Sequence, residues 1–326
     1  MPGGGDDQRW MQAAIALAAR SRGLSTPNPN VGCVIVKDGR VLGRGWTQAG
    51  GRPHAEAMAL GAAGKAARGA TAYVTLEPCA HESQRGPACA DLLIAAGVAR
   101  VVAALRDPDP RTDGKGLARL AAAGISVSDG VGRDAAMETM AGWWARATRG
   151  RAHVTLKLAT SLDGCIALPS GESRWITGNQ ARAFTHLARS RCDAILVGRG
   201  TWETDRPALD VRLAGLESRS PRRLVLSASA VADAECVASP NAAVTLDGVN
   251  DLFVEGGAQT AAAFLAADLV DTLMIHRAPI LIGGGRAALT DIGLASLNDA
   301  HGRWTLIDAR QLGSDRIEHY QRVRKD

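Results

Sequence analysis

The sequence His54-Ala-Glu56, with Pro78-Cys79 and Cys89 after it, decides the fold of the first half of the chain. It supplies one imidazole, two thiols and one carboxylate. A catalytic zinc ion keeps three protein ligands and leaves its fourth position for water, whereas a structural zinc ion takes four. The remaining cysteines stand upstream or far downstream, at Cys33, Cys165, Cys192 and Cys236. We therefore predict a catalytic zinc site with His54, Cys79 and Cys89 as its ligands.

Glu56 follows His54 by two residues, so its carboxylate can point at the zinc-bound water and not at the metal. The ion lowers the pKa of that water towards neutrality. Glu56 would then take the proton and deliver it to a ring nitrogen and to the departing ammonia. This order of residues is typical of zinc-dependent base deaminases. A structural zinc site or a chance combination is the alternative, because His-x-Glu and Pro-Cys are each common alone.

The composition indicates a soluble enzyme with two domains. The chain has 326 residues, 46% of them hydrophobic and 22% charged, and domains usually hold about 100 to 200 residues. No apolar run approaches the roughly 20 residues of a membrane helix. The segment Met1 to Gln8 lacks the pattern of a secretion signal, and six cysteines form no compact disulfide framework. We therefore expect a cytoplasmic protein without a membrane span.

The net charge of +5 permits nucleic-acid binding, but it does not require it. The lysines and arginines are spread along both halves, and no dense basic run with interleaved aromatic residues occurs. We expect an anionic small molecule as the ligand and no nucleic-acid partner.

Strand and helix patterns alternate in the first half, which predicts an α/β sandwich. Asp38-Gly39 predicts a hairpin turn, and the helix from Ala55 to Ala63 places His54 and Glu56 at its first turn. Pro78 and Cys79 should open the next helix. The other predicted elements are a helix from Trp10, strands 31–36, 41–46, 71–76, 100–105 and 125–128, and helices 115–123 and 135–148. We place the domain boundary near residue 150, which gives domains 1–149 and 150–326.

The second half is also predicted to be α/β, with mostly parallel strands. The predicted elements are strands 153–159, 193–197, 223–226, 251–254 and 271–277, late strands from Trp304 and Ile317, and helices 179–190 and 258–267. Glu255-Gly-Gly257 ends a strand and precedes a helix, so its backbone N–H groups can hold a phosphate, although a tight structural turn explains it equally well. Further polar or glycine-rich segments follow strands at 157–164, 197–205, 207–212 and 283–285. Together these strand-end segments favour a site for a phosphate-rich ligand.

Taken in order along the chain, these segments resemble the bifunctional riboflavin biosynthesis enzymes, in which a pyrimidine deaminase is fused to a reductase. The resemblance in the first half rests on Thr26-Pro-Asn-Pro-Asn-Val-Gly32, Gly51-Arg-Pro-His-Ala-Glu56, Thr75-Leu-Glu-Pro-Cys-Ala-His81, Pro87-Ala-Cys89 and Arg106-Asp-Pro-Asp-Pro110. In the second half it rests on Lys157-Leu-Ala-Thr-Ser-Leu-Asp-Gly164, Gly171-Glu-Ser-Arg-Trp-Ile-Thr177, Asp193-Ala-Ile-Leu-Val-Gly198 and Val254-Glu-Gly-Gly257.

This resemblance implies a cytidine-deaminase-like α/β/α sandwich followed by a dihydrofolate-reductase-like α/β domain. It implies zinc-dependent removal of the 2-amino group from 2,5-diamino-6-ribosylamino-4(3H)-pyrimidinone 5′-phosphate. NADPH-dependent reduction of the ribosyl group to ribityl would follow. It also implies a homodimer or homotetramer assembled through the reductase half.

The resemblance further implies a role for individual residues. It implies that His54, Cys79 and Cys89 bind zinc and that Glu56 is the proton shuttle. The residue types and their spacing predict the same four roles. Lys157 and Asp205 match catalytic positions of the reductase. The positions implied for NADP are Ala159, Trp175, Thr201, Asp205 and Gly257. The positions implied for substrate are Asn28, His81, Ser173, Arg189, Leu209, Arg212 and Glu255. For Arg189 and Arg212, a solvated surface charge is the alternative.

The chain departs from the pattern of these relatives around the zinc site. Nine residues separate Cys79 from Cys89, whereas the general deaminase signature closes with Cys-x-x-Cys. Thr47 stands where many relatives carry histidine, and the longer loop leaves the roles of Gln84 and Arg85 open. Two other functions stay as alternatives: a nucleic-acid deaminase with an unrelated second domain, and a zinc-stabilised module without catalysis. Glu56 argues against the second alternative, because a structural module does not need it.

Overall fold

The computed structural model describes residues 4–81 and 86–324, so Gln84 and Arg85 lie outside the described residues. The chain divides into two compact units, Met1–Gly150 and Arg151–Asp326, which we call the first and the second unit. Within the described ranges, none of the helices has the length and apolar content that crossing a bilayer requires.

The first unit is a five-stranded sheet covered by helices. The sheet order is β2-β1-β3-β4-β5, with β1 antiparallel to β2 and β3, and with β3, β4 and β5 parallel. The strands are β1 (Gly32–Lys37), β2 (Arg40–Trp46), β3 (Thr71–Val74), β4 (Arg100–Ala103) and β5 (Ser126–Asp129). The helices are α1 (Gly4–Ala18), α2 (Ala55–Ala63), α3 (Cys89–Ala96), α4 (Lys115–Ala122), α5 (Arg133–Thr139) and α6 (Ala141–Arg149).

Glycines in β2 allow α2 to lie directly on the sheet. A methyl group added to Gly45 would stand 2.1 Å from the carbonyl oxygen of Ala55, and one added to Gly43 would stand 2.1 Å from that of Ala59. No larger residue fits such a close approach of two backbones. The contact fixes the first turn of α2, which carries His54 as its N-cap and Glu56 inside the helix.

Two of the predicted elements of the first unit are wrong. Pro78 and Cys79 do not open a helix; α3 begins at Cys89, and the backbone N–H of Cys89 instead donates to Sγ of Cys79 at 3.3 Å. The predicted helix 135–148 is interrupted at Met140, whose φ of −110° and ψ of 26° separate α5 from α6. The Met140 side chain is buried in the core at this interruption.

The second unit is an eight-stranded sheet with helices against it. The order is β10-β9-β8-β11-β6-β12-β15-β14; the first six strands are parallel, and β15 and β14 are antiparallel to their neighbours. The strands are β6 (His153–Thr160), β8 (Ala194–Gly198), β9 (Arg222–Leu226), β10 (Glu235–Val237), β11 (Asp251–Val254), β12 (Thr272–Arg277), β14 (Trp304–Leu312) and β15 (Asp315–Arg322). A separate two-stranded sheet pairs β7 (Cys165–Ala167) with β13 (Arg286–Ala287). The helices are α7 (Asn179–Arg189), α8 (Arg199–Asp205), α9 (Pro240–Thr245) and α10 (Ala258–Ala266).

The prediction of a mostly parallel α/β second half agrees with this sheet, although part of the segment 197–205 forms helix α8 and not a loop. The sequence patterns did not predict four short elements: β7, β10, β13 and α9. Each has six residues or fewer, too few to show a hydrophobic period.

Candidate active sites

Three predicted metal ligands come together at the start of α2 and α3. Nδ1 of His54 lies 3.3 Å from Sγ of Cys89 and 3.8 Å from Sγ of Cys79. The three ligand atoms all lie within 4.8 Å of one another, and no other group of this kind occurs in residues 4–81 and 86–324. One imidazole and two thiols form a donor set that suits zinc.

The spacing of these atoms fits a tetrahedral zinc ion. Zn–S bonds of about 2.3 Å and Zn–N bonds of about 2.0 to 2.1 Å at a tetrahedral angle separate nitrogen and sulfur by about 3.6 Å. The two observed separations lie on either side of that value. The hydrogen bond between the two thiols is the largest cause that lowers the pKa of Cys79 and raises the pKa of Cys89, so Cys79 carries the thiolate of this pair.

Glu56 lies beside the ligands and is only 3% exposed. Burial raises the pKa of its carboxyl, while the neighbouring His54 and the Cys89 thiol act in the opposite direction. A carboxyl that holds its proton more tightly than usual is suited to accept a proton and to release it later in the same reaction.

Asn28 and His81 flank the same site. The amide nitrogen of Asn28 lies 3.1 Å from Nε2 of His54 and donates to the carbonyl oxygen of Gly51 at 2.9 Å. Gly51 has a φ of +86°, and a methyl group there would stand 2.6 Å from Cγ of Asn28. Nδ1 of His81 lies 3.4 Å from the hydroxyl of Thr112. Thr47 is buried, and its hydroxyl accepts from the N–H of Val31 at 3.0 Å.

Two buried carboxyl groups next to this site received no predicted role. Glu77 accepts four backbone N–H bonds from the segment after β4. Asp107 is buried in that same segment, and its burial is the main cause that raises its pKa to about 7. Glu77 lies in the motif 75–81 and Asp107 in the motif 106–110. Only their contacts in the folded protein distinguish them from other acidic residues.

The eleven predicted site residues of the second unit line one cleft with a volume of about 690 Å³. They are Lys157, Ala159, Ser173, Trp175, Arg189, Thr201, Asp205, Leu209, Arg212, Glu255 and Gly257. The cleft carries seven lysine or arginine side chains: Lys157, Arg174, Arg182, Arg189, Arg206, Arg212 and Arg286. Asp205 and Glu255 are the acidic residues that line it. This excess of cations suits a ligand with several phosphates.

A nearly buried ion pair forms one wall of the cleft. Nε and Nη2 of Arg189 donate to the two carboxylate oxygens of Glu255 at 2.7 and 3.0 Å, and Nη1 donates to the carbonyl oxygen of Asp210 at 2.9 Å. Burial opposes ionisation of Glu255, but Arg189 and Lys157 outweigh it and lower the pKa of this carboxyl. Because the guanidinium is occupied, Arg189 has little capacity left for a bidentate phosphate contact.

Lys157 lies on β6 near this pair. Burial lowers the pKa of its ammonium group, Glu255 raises it, and Arg189 lowers it further. A partly desolvated lysine beside a carboxylate can donate a proton more readily than a surface lysine.

The first turns of α8 and α10 meet at the edge of the cleft. The Thr260 side chain packs against both Gly198 and Gly256, where an added methyl group would stand 2.2 Å from Oγ1 and 2.5 Å from Cβ. These glycines therefore bring two sets of free helix N–H groups close together. Such groups favour phosphate, which fits a dinucleotide cofactor.

Trp175 lies at the mouth of the cleft and is 65% exposed. The guanidinium of Arg182 lies 4.6 Å from its ring centroid, and Arg174 donates to the carbonyl oxygen of Asp205 at 2.8 Å. An exposed indole at a cationic cleft offers a flat apolar surface for a ring of the ligand.

Comparison with known proteins finds a matching family model for each unit. Residues 5–105 match the family model described as the cytidine and deoxycytidylate deaminase zinc-binding region, which defines the first unit as a zinc-dependent deaminase domain. Residues 152–247 and 242–317 match the model of the RibD C-terminal domain. The riboflavin biosynthesis protein RibD of Escherichia coli is 40% identical over 96% of this chain and 98% of that protein. The chain belongs to the RibD family of riboflavin biosynthesis proteins.

Two solved structures are similar over nearly the whole chain. RibD of Acinetobacter baumannii has a TM-score of 0.85 and 36% identity, and covers 98% of this chain and 99% of its own. The Thermotoga maritima diaminohydroxyphosphoribosylaminopyrimidine deaminase/5-amino-6-(5-phosphoribosylamino)uracil reductase has a TM-score of 0.87 and 30% identity, and covers 97% and 99%. The predicted fold class and family resemblance are thereby confirmed.

Proposed function

We propose that this chain catalyses two consecutive steps of riboflavin biosynthesis, with the deaminase in residues 1–149 and the reductase in residues 150–326. The first step deaminates 2,5-diamino-6-ribosylamino-4(3H)-pyrimidinone 5′-phosphate, and the second reduces the ribosyl group of the product to ribityl. The observation that carries this proposal is the presence of a His-Cys-Cys ligand set and a cationic, glycine-edged cleft in one RibD-family chain.

In the deaminase, His54, Cys79 and Cys89 would hold zinc, which when bound lowers the pKa of a coordinated water and so supplies hydroxide at neutral pH. Glu56 takes a proton from the attacking water and delivers it to the ring nitrogen. It then moves a second proton from the hydroxyl group of the addition product to the amino group, which leaves as ammonia. Its buried position and its raised pKa support this role. Asn28 and His81 orient the pyrimidine from positions beside His54 and Thr112.

In the reductase, Ala159, Trp175, Thr201, Asp205 and Gly257 would hold NADPH, which when bound supplies the hydride. Ser173, Arg189, Leu209, Arg212 and Glu255 form the substrate side of the cleft. Lys157 provides a positive charge and a proton near the ribosyl carbon, and Asp205 contributes to the same chemistry. The Arg189–Glu255 ion pair supports a positioning role for Arg189, since Nε, Nη1 and Nη2 of its guanidinium each already donate to Glu255 or Asp210.

A combined measurement on the purified full chain tests this proposal. We expect about one zinc per chain, ammonia release from the diaminopyrimidine phosphate, and NADPH oxidation that begins only after deamination. Zinc without ammonia release would contradict the deaminase assignment, and ammonia release without NADPH oxidation would contradict the reductase assignment. Salt-dependent binding to single-stranded nucleic acid would instead favour a nucleic-acid deaminase.

We further propose a cytoplasmic homodimer or homotetramer that assembles through the reductase half. Strand β14 is an edge of the large sheet, and its Leu306 and Ile307 are exposed. Unpaired edge strands with apolar side chains are typical contact surfaces between copies. Light scattering on the purified protein tests this, and a monomer at micromolar concentration would contradict it.

A further inference from the structure

Glu77 is a buried carboxylate whose acceptor sites are filled by backbone N–H groups. It is 2% exposed. Oε1 accepts from the N–H groups of Gly116 and Leu117 at 2.9 and 3.2 Å. Oε2 accepts from those of Gly114 and Asp107 at 2.9 and 3.2 Å. A carboxylate offers about four lone-pair positions on its two oxygens, so these four bonds use its capacity.

The bonds cap helix α4 from outside the helix. Its N-cap residue is Gly114, which has a φ of +83° and no side chain to accept from the first turn. The free N–H groups of a helix start need an acceptor, and a negative charge there is favoured by the helix dipole. Glu77 supplies both, although it lies 37 residues before Gly114.

The same contact joins α4 to the segment that carries a metal ligand. A methyl group added to Gly116 would stand 2.0 Å from the carbonyl oxygen of Pro78. The first turn of α4 therefore lies directly on Glu77-Pro78, immediately before Cys79. Any shift of α4 along its axis would move the backbone next to this ligand.

The loop between β4 and α4 connects the contact to the opposite side of the site. Asp107 and Gly114, both held by Glu77, bound this loop. Thr112 lies within it, is fully buried, and contacts Nδ1 of His81. Glu77 thus holds two parts of the site: Cys79 along the chain and His81 through Thr112.

We infer that Glu77 is a positioning residue of the deaminase site, which sets the placement of His81 relative to Cys79 by capping α4 and closing the loop 107–114. It contacts neither the metal ligands' donor atoms nor the substrate in this role. The inference rests on the proposed deaminase function of the first unit. A residue that only stabilises the fold would have a different signature, because its loss lowers the amount of active enzyme without changing the affinity of the enzyme that remains folded.

The test is Glu77→Gln in the full chain, with both activities measured. The amide keeps one acceptor oxygen, so two of the four N–H groups lose their partner. We expect KM for the diaminopyrimidine phosphate to rise at least about fivefold and kcat/KM for ammonia release to fall about 10- to 100-fold, the range of small misplacements near a reacting group. NADPH oxidation with the deaminated substrate reports on the second unit of the same chains, to which Glu77 does not belong, and should stay within about twofold of the wild-type rate.

Asp91→Asn provides the matched control. Asp91 also holds α4, through an ion pair with Arg119 at 2.9 Å, but this pair is exposed and does not reach the loop 107–114. Asp91→Asn removes this ion pair and should leave the KM for deamination unchanged. Thr112→Val is the second variant, should Glu77→Gln fail to fold: it removes the hydroxyl that contacts His81 and should also raise KM.

The outcomes separate this inference from the proposed function. A wild-type chain that releases no ammonia overturns the deaminase assignment. An active wild type with unchanged KM in Glu77→Gln overturns the positioning role, whatever happens to kcat. If that variant does not fold, unchanged KM in Thr112→Val overturns it as well.

Discussion

The two candidate sites differ in how far apart along the sequence their parts lie. The proposed zinc ligands come from two helix starts and a strand end within 36 residues, and their atoms lie within 4.8 Å of one another. The second cleft collects residues from Lys157 to Arg286 and encloses about 690 Å³. A compact metal site concentrates its chemistry in four residues, whereas an open cleft distributes it over many. Single substitutions of proposed catalytic residues should therefore reduce activity severely in the first unit and by smaller, graded factors in the second.

The largest effect should come from Glu56→Gln. The amide cannot carry the proton, and general acid–base catalysis contributes about 10²- to 10⁴-fold. We expect ammonia release to fall by this factor while zinc content and NADPH oxidation stay unchanged, because Glu56 is not a ligand. Glu138→Gln, at an exposed position of α5, is the matched control. Unchanged ammonia release in Glu56→Gln would remove the assigned proton shuttle.

The next effect concerns the stability of the second unit. Arg189→Met leaves Glu255 buried without its bidentate partner, since the two side chains are 11% and 13% exposed. Breaking a buried pair from one side costs about 3 to 5 kcal/mol. Urea unfolding followed in the second unit should show this loss.

The exposed pair Arg222–Glu235 provides the comparison for that loss, because its side chains are 43% and 45% exposed. Arg222→Met should cost about 0 to 1 kcal/mol. Equal losses in Arg189→Met and Arg222→Met would contradict the structural importance of the buried pair.

A smaller, graded effect is expected for Lys157→Met. Arg189 still compensates Glu255 in this variant, so the cleft should keep its shape. NADPH oxidation should fall about 10- to 100-fold because the proposed function uses the charge of Lys157 near the reacting carbon, while ammonia release stays unchanged. An equal fall of both activities would indicate a folding defect and not a local role.

The smallest effect is a pH dependence of stability that Asp107 introduces. Its pKa is about 7 in the folded chain and about 3.9 in an unfolded one. The folded state therefore binds more protons between these values, and its stability decreases as pH rises through them. Between pH 5 and 8 the contribution is on the order of 2 kcal/mol.

Asp107→Asn should flatten this dependence, since the amide oxygen can still accept from the N–H of Asp109. Chemical unfolding of both chains at several pH values measures it. A parallel pH dependence in the two proteins would exclude Asp107 as its source.

The sequence predicts the features that depend on neighbouring residues, and it does not predict the contacts between residues far apart in the chain. Helix α2 occupies the predicted residues, because its alanine-rich pattern and the residues of its first turn are local signals. The residues that meet at the candidate metal site and those that line the cleft could be named because they stand in short motifs. The cap that Glu77 provides for α4 and the Arg189–Glu255 pair could not, since they join residues 37 and 66 positions apart without a local pattern. The start of α3 was misplaced for a similar reason: Cys79 interacts with the first turn of that helix from outside it.

The close contact of β2 with α2 has a consequence for the interpretation of natural variation. A side chain at Gly43 or Gly45 would meet the backbone of α2 and displace this helix, whose first turn carries the proposed proton shuttle Glu56. Alleles altered at these glycines should therefore fail to support growth without added riboflavin, just as alleles of Glu56 would. A genetic screen would assign these two glycines to the active centre, although their substitution acts by displacing helix α2 from the sheet.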